Sequence, residues 1–242
     1  MVLRHCLGDV TALGAGPKLP FEGLLAHVRA VVSYLLHHQG KGSRMLDLSD
    51  ANVGRIDFPR IYRAGQRRVY LKATEGLTFD DRFYRARRQT AQRAGLKVGA
   101  YHFSHSERND PRAEARHFAR IIGQLTPGKD LRPSLDFEFG ATSAAWALAF
   151  IDEIQKRTGV KPIIYSYPDF LTRARFKKIP APLWLASYGR NDGKEHPFRI
   201  PAPWKRIVAH QYSSKAHVAG VPGLVDISHV FNPAALELPR AL

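Results

Sequence analysis

The chain has 242 residues, of which 44% are hydrophobic and 24% charged, a balance that suits a folded globular protein and excludes large-scale disorder. Its 37 Lys and Arg against 21 Asp and Glu give a net charge of +16, a field that favours a polyanionic partner without choosing among nucleic acid, anionic membrane and wall polymer. A single cysteine, Cys6, excludes an intramolecular disulfide, and no apolar run is long enough for a transmembrane helix.

Residues 1–43 read as an N-terminal extension. Gly8, Gly14, Gly16, Pro17 and Pro20 make its first part irregular. Leu24, Leu25, Val28, Val31, Val32, Leu35 and Leu36 then recur at three- and four-residue spacings and predict one amphipathic helix. Its polar face is not strongly cationic, which favours a helix packed on the domain over a membrane-targeting one. No secretory h-region follows Arg4 and His5. Synthesis and folding in a cytoplasm are therefore expected, with some other agent releasing the protein if it acts outside. Gln39 to Ser43 reads as a linker.

From residue 44 to 242 strands and helices alternate. Strands are predicted at 45–49, 68–74, 97–103, 132–139, 161–166, 183–187, 206–212 and 224–228. Helices are predicted at 58–64, 80–94, 111–125, 143–158 and 168–175. Pro111 suits a first helical turn, Ser143 can cap the fourth helix and Gly159 can stop it. Apolar strands alternating with helices indicate a parallel sheet. Eight strands in about 200 residues predict a closed α/β architecture: an irregular TIM-like (β/α) barrel of eight strands with about five helices. An open doubly wound sheet is disfavoured, because no Gly-rich phosphate loop follows the first strand.

In such barrels the site gathers at the C-terminal ends of the strands. The ends here carry Asp47 and Ser49, Glu75, Tyr101-His102-Phe103, Asp136 and Glu138, Tyr165, Trp184 with Ser187 and Tyr188, and Gln211. The eighth strand carries Asp226. The stretch Leu135-Asp136-Phe137-Glu138-Phe139-Gly140 is the anchor. Residues i and i+2 of a strand share a face, so Asp136 and Glu138 project side by side while Leu135, Phe137 and Phe139 turn the other way. Two carboxyls this close cannot both ionise freely, and a carboxylic acid protonated near neutrality can donate to a leaving group. An acid-lined, aromatic-walled cleft suits a sugar chain, since aromatic faces stack on pyranose rings. It suits nucleic acid badly, because the acids repel phosphate.

These pieces resemble glycoside hydrolase family 25, the lysozymes (N-acetylmuramidases) of phages, bacteria and some fungi. The resemblance rests on Leu46-Asp-Leu-Ser49, Gly54-Arg-Ile-Asp-Phe58, Leu71-Lys-Ala-Thr-Glu-Gly76 and Ala94 to Phe103. It continues in Leu135-Asp-Phe-Glu138, Gly159 to Ser166, Leu183-Trp-Leu-Ala-Ser-Tyr188, His210-Gln-Tyr-Ser213 and Gly223-Leu-Val-Asp226. It implies cleavage of the β-1,4 bond from N-acetylmuramic acid to N-acetylglucosamine in bacterial peptidoglycan, with retention. It also implies Glu138 as general acid, with Asp136, Asp47 and Asp226 as the other acids of the site. Tyr101, His102, Tyr165, Trp184, Tyr188, Gln211 and Glu75 are grouped as substrate-facing. The one-residue spacing of Asp136 and Glu138 favours substrate assistance by the 2-acetamido group over an opposing nucleophile.

No metal or cofactor is expected, nor a nucleic-acid partner, and a monomer is expected. The basic surface suits an anionic wall polymer or lipopolysaccharide, and the missing signal suits phage-lysin-like release to the wall. Departures exist: Asp50-Ala51-Asn52-Val53 replaces the Trp or His followed by Gln of many members. Residues 1–43 have no counterpart in the catalytic domain, and no wall-binding repeat follows Phe231. A catalytically silent glycan-binding relative is the alternative, and a metal-dependent deacetylase a weaker third. His102-x-x-His105 lacks the spacing of a helical zinc pair, and Lys72 reads as a groove or paired lysine.

Overall fold

The computed structural model describes residues 43–239. The extension helix expected before residue 43 lies outside them. Eight strands close into a barrel: β1 (Ser43–Leu48), β2 (Arg68–Glu75), β4 (Lys97–Phe103), β5 (Ser134–Asp136), β6 (Ile163–Ser166), β7 (Leu183–Ala186), β8 (Ala209–Ala216) and β9 (Val225–Val230). A two-residue strand, β3 (Phe79–Asp80), hangs on β2 as a hairpin. The helices are α1 (Phe58–Arg63), α2 (Tyr84–Arg93), α3 (Pro111–Ile122), α4 (Ala144–Thr158), α5 (Pro168–Ala174) and the short α6 (Pro233–Leu236). Asp57, Asp110 and Ser143 cap α1, α3 and α4, each accepting from the backbone N–H three residues on. Gly159 ends α4 in the left-handed region, as its position in the sequence suggests.

The ring runs β1-β9-β8-β7-β6-β5-β4-β2 and closes by pairing β1 with β2. It is not all-parallel, which corrects the expectation from alternation. β9 runs antiparallel to both neighbours, β8 and β1. The reason is the connection: between Ala216 and Val225 there is a short loop and no crossover helix, and only a helix-length crossover lets the next strand run parallel.

Period-two alternation sorts each strand into two cores. Leu46, Leu48, Val69, Leu71, Leu135, Ile164 and Leu183 face the helices, where they meet Phe118, Phe150 and Phe170. Met45, Tyr70, Ile163, Tyr165, Trp184 and Val230 fill the barrel. Tyr70 and Tyr165 lie 5.0 and 4.8 Å from Trp184, centroid to centroid, and the Tyr70 hydroxyl donates to the Arg132 carbonyl at 3.0 Å. This aromatic plug is a solid floor, so any ligand must bind above it, at the mouth.

Candidate active site

A cavity of about 190 Å³ opens at the mouth. Its acids are Asp47, Asp136, Glu138 and Asp226; its aromatics are Tyr101, Phe103, Tyr165, Trp184 and Tyr188; Lys72 and Gln211 complete it. A shallower depression of about 300 Å³ shares Glu138 and Tyr188 and runs on past Tyr167, Pro168 and Ser187. Together they make a groove longer than its deepest point.

The four acids arrive by strand register. Asp136 is the last residue of β5, paired between Phe103 and Tyr165. The chain leaves the sheet after it but keeps its alternation for two residues. Phe137 is buried against Trp146 at 6.0 Å and Phe170 at 4.9 Å, and Glu138 turns back to the cleft. Phe139 breaks the expected pattern: it is 50% exposed rather than packed. The backbone around this stretch is tied down. Ser104 Oγ donates to the Asp136 carbonyl at 2.8 Å, and Ser106 Oγ donates to the carbonyls of Phe139 at 3.0 Å and Ala141 at 2.8 Å. Gly140 has φ +84, and a Cβ there would stand 2.9 Å from the Glu107 backbone nitrogen, so only glycine fits.

Asp47 and Asp226 are direct cross-strand partners on β1 and β9. Because β9 runs downward, its start lies at the mouth, and that is how a residue near its N-terminal end joins acids from the ends of the others. Directly opposed like charges repel. Asp47 is buried, and desolvation followed by the charge of Asp226 raises its pKa well above the usual value, against a hydrogen bond from Gln211. Gln211 Nε2 donates to Asp47 Oδ2 at 2.8 Å, and Gln211 Oε1 accepts from the Tyr165 and Tyr188 hydroxyls, both at 2.7 Å. Desolvation lifts Asp226 to about 6. Glu138 is pushed up to about 7, first by desolvation and then by Asp226. Desolvation and then Glu138 raise Asp136 well above the usual range, and the Lys72 ammonium opposes them. The quartet therefore holds protons near neutrality that exposed carboxyls would have lost. Asp136 Oδ1 is buried with no hydrogen-bond partner among the described residues.

Among the described residues, Lys72 is the one cation lining this cavity. Its ammonium lies 2.6 Å from Glu75 Oε2, over the rings of Phe79 at 5.2 Å and Phe103 at 5.4 Å. Glu75 is held in turn by His105 Nε2 at 2.8 Å, and its carboxyl is lowered against desolvation by Lys72 and His105. Glu75 thus stands behind Lys72 and does not line the cavity.

His102 is a correction. It does not face the cleft. It is fully buried on the helix side, with Nδ1 2.7 Å from Thr74 Oγ1 and Nε2 2.8 Å from Glu114 Oε2, 5.2 Å from the Phe150 ring. Strand alternation explains it: Tyr101 and Phe103 point into the mouth, so the residue between them points out. The same parity identifies Phe103 as a cleft residue absent from the sequence-derived set. Lys72, read as a groove or paired lysine, is both.

The family model described as glycosyl hydrolases family 25 matches residues 46–221. The chain belongs to this family. It is 32% identical over 182 residues to the autolytic lysozyme of Clostridium acetobutylicum, an alignment covering 72% of this chain and 52% of that one. The chain thus spans about half the length of that relative. Among solved structures, the bacterial lysozyme from Streptomyces coelicolor superposes with a TM-score of 0.73 at 26% identity, covering 81% of this chain and 95% of that one. A family 25 lysozyme from Aspergillus fumigatus gives 0.69 at 27% identity, covering 80% and 96%. The mixed eight-stranded barrel is therefore the family's fold, and the acid quartet sits at its mouth.

Proposed function

We propose that this family 25 protein is a lysozyme that hydrolyses the β-1,4 bond between N-acetylmuramic acid and N-acetylglucosamine of peptidoglycan with retention at the anomeric carbon. The observation that carries the mechanism is the pairing of Glu138, poised near 7, with a buried Asp136 oxygen that has no partner. An unpartnered buried carboxylate oxygen is costly unless a ligand supplies its donor. A 2-acetamido N–H is such a donor. In this reading Glu138 protonates the glycosidic oxygen while the acetamido carbonyl oxygen attacks the anomeric carbon. Asp136 accepts the N–H and stabilises the positive charge that develops on the cyclised acetamido group. Glu138, now a carboxylate, then takes a proton from the water that opens that intermediate. Asp136 starts out protonated more readily than an exposed aspartate. The N–H bond and the Lys72 charge both favour its ionised form once substrate is bound.

Burial and the charge of Asp226 keep Glu138 protonated, and Gln211 holds Asp47 in place. Tyr101, Phe103, Tyr165, Trp184 and Tyr188 supply the walls, with the groove past Tyr167 taking the continuing glycan. The site of action is the bacterial cell wall. No helix of the described residues is long and apolar enough to cross a membrane.

Glu138→Gln is expected to lose turnover of purified walls by at least about a hundredfold while keeping its thermal transition. Near-normal activity in that variant sinks the assignment. Mass spectrometry of muropeptides after borohydride reduction gives the bond: reduced muramic acid supports the reading, and reduced glucosamine refutes it.

A further inference from the structure

Lys72 is the basic residue among the described residues that line the cleft. Five arginines line the surface where α2, α3 and the end of α4 meet. Two adjoining troughs of about 540 Å³ each run there and share Arg120, Gly123 and Gln124. Arg85 and Arg88 line the first and Arg116 and Arg157 the second, and neither lining includes an acid. The linings run along α2 from Tyr84 and Arg85 in its first turn to Gln92 in its last, and along α3 from Arg116 to Ile122, on the outer, helix side of the barrel. Asp130, gripped by Arg88, bridges to Val98 at the start of β4, so that part of the first trough lies toward the strand starts.

The trough is pre-built. Arg88 spends its donors on structure. Its Nε and one terminal nitrogen grip Asp130 at 3.0 and 2.7 Å, and its guanidinium caps the carbonyls of Ile122 and Gln124 at 2.8 and 3.2 Å. That clamp fixes the end of α3 as a wall. Arg157 is held by Glu153. Arg85 and Arg116 form no ion pair among the described residues, and Arg120 has only a 3.9 Å contact to a half-exposed Asp80. Across the two adjoining troughs three guanidiniums therefore stand with their forks available, Arg85 in the first, Arg116 in the second and Arg120 in both, donors of the kind that take phosphate oxygens.

The occupant follows from chemistry and place. Tyr84, the trough's aromatic residue, is 2% exposed, which leaves no platform for stacking bases. We propose that this trough is a second, non-catalytic binding site for the phosphodiester backbone of an anionic cell-wall polymer, gripped by Arg85, Arg116 and Arg120. The choice of polymer rests on the wall-hydrolase reading.

The test uses the full chain and deacylated poly(glycerol phosphate), with binding followed by calorimetry at about 0.15 M salt. Wild type is expected to bind, with affinity falling steeply as salt rises. The triple variant Arg85→Glu/Arg116→Glu/Arg120→Glu is expected to lose at least about tenfold in affinity. The triple lysine replacement should retain most of it, because the charges remain. Circular dichroism reports folding, and if the glutamate variant does not fold, the triple glutamine variant replaces it. Absence of binding by wild type overturns the proposal. So does unchanged binding by the charge-removed variant, or displacement of the polymer by duplex DNA at equal phosphate concentration. Turnover of walls stripped of phosphodiester polymer is expected to be equal in wild type and variant. Loss of that turnover in wild type strikes the lysozyme reading and leaves the binding result standing.

Discussion

Replacing Asp226 with Asn tests the electrostatics of the quartet directly. The substitution removes one of two carboxyls that face each other across β1 and β9 and leaves the shape nearly unchanged. Desolvation lifts Asp226 from the ordinary 3.8 to about 6, a change of about two pH units, each worth about 1.4 kcal/mol. The gross cost of ionising it in the folded protein is thus about 3 kcal/mol. Water still reaches the group and screens it, so about 1–2 kcal/mol is the expected net size. The sign follows from proton linkage. A carboxyl whose folded pKa is raised binds more protons folded than unfolded, so stability falls as pH rises from about 4 to about 6, and the cost is complete above 6. Asp226→Asn should therefore melt about 2–8 °C higher than wild type at pH 7 and at the same temperature at pH 3. Differential scanning calorimetry at the two pH values decides it. Equal shifts at both pH values, or a lower melting temperature at pH 7, refute the argument. The gain should come with lost function, since Glu138 loses the charge that helps hold its proton: the alkaline limb of the kcat/KM profile should move to lower pH.

Lys72→Met removes the cation that opposes protonation of Asp136, so the acid limb of the pH–rate profile should move upward, measured on soluble glycan fragments across pH 4–8. Gln211→Leu strands the Tyr165 and Tyr188 hydroxyls and the Asp47 carboxyl. A loss of about 2–4 kcal/mol in urea unfolding is expected, together with lower turnover. His102→Leu leaves the buried Glu114 carboxylate and the Thr74 hydroxyl short of a partner and should destabilise by about 2–4 kcal/mol, with kcat/KM of the folded fraction unchanged. A specific loss of kcat/KM in that variant returns His102 to the cleft.

Most of the site was legible from strand ends because a barrel puts them all at one mouth. Asp47, Tyr101, Asp136, Glu138, Tyr165, Trp184, Tyr188, Gln211 and Asp226 all line the cavity named by that rule. His102 was misplaced by counting a strand's last three residues without their parity; with Tyr101 inward, His102 has to point outward. Phe103 was recoverable from the same parity. Glu75 was harder. The ladder between β2 and β4 shifts register between Lys72 and Thr74, and a bulge changes which residues face in without leaving a mark in composition. The direction of β9 was hidden for a related reason: a strand's residues do not state its orientation, and only the missing crossover helix between Ala216 and Val225 tells it. The partners of Gln211 and the cation over Phe79 and Phe103 depend on distances that no spacing rule supplies.

The downward run of β9 has a consequence in time. Asp47 lies on the first described strand and Asp226 on the last, and β9 is the strand that fills the ring between β8 and β1. A growing chain that has emerged only through β8 has the anchor acids Asp136 and Glu138 but an open wall beside them and no charge from Asp226. The cleft comes into being with the final closure, after contacts between the most distant parts of the described sequence have formed, the slowest kind to make. In the proposed reading, a chain with β9 undocked lacks Asp226 and one wall of the cleft, so turnover is expected only once β9 has docked.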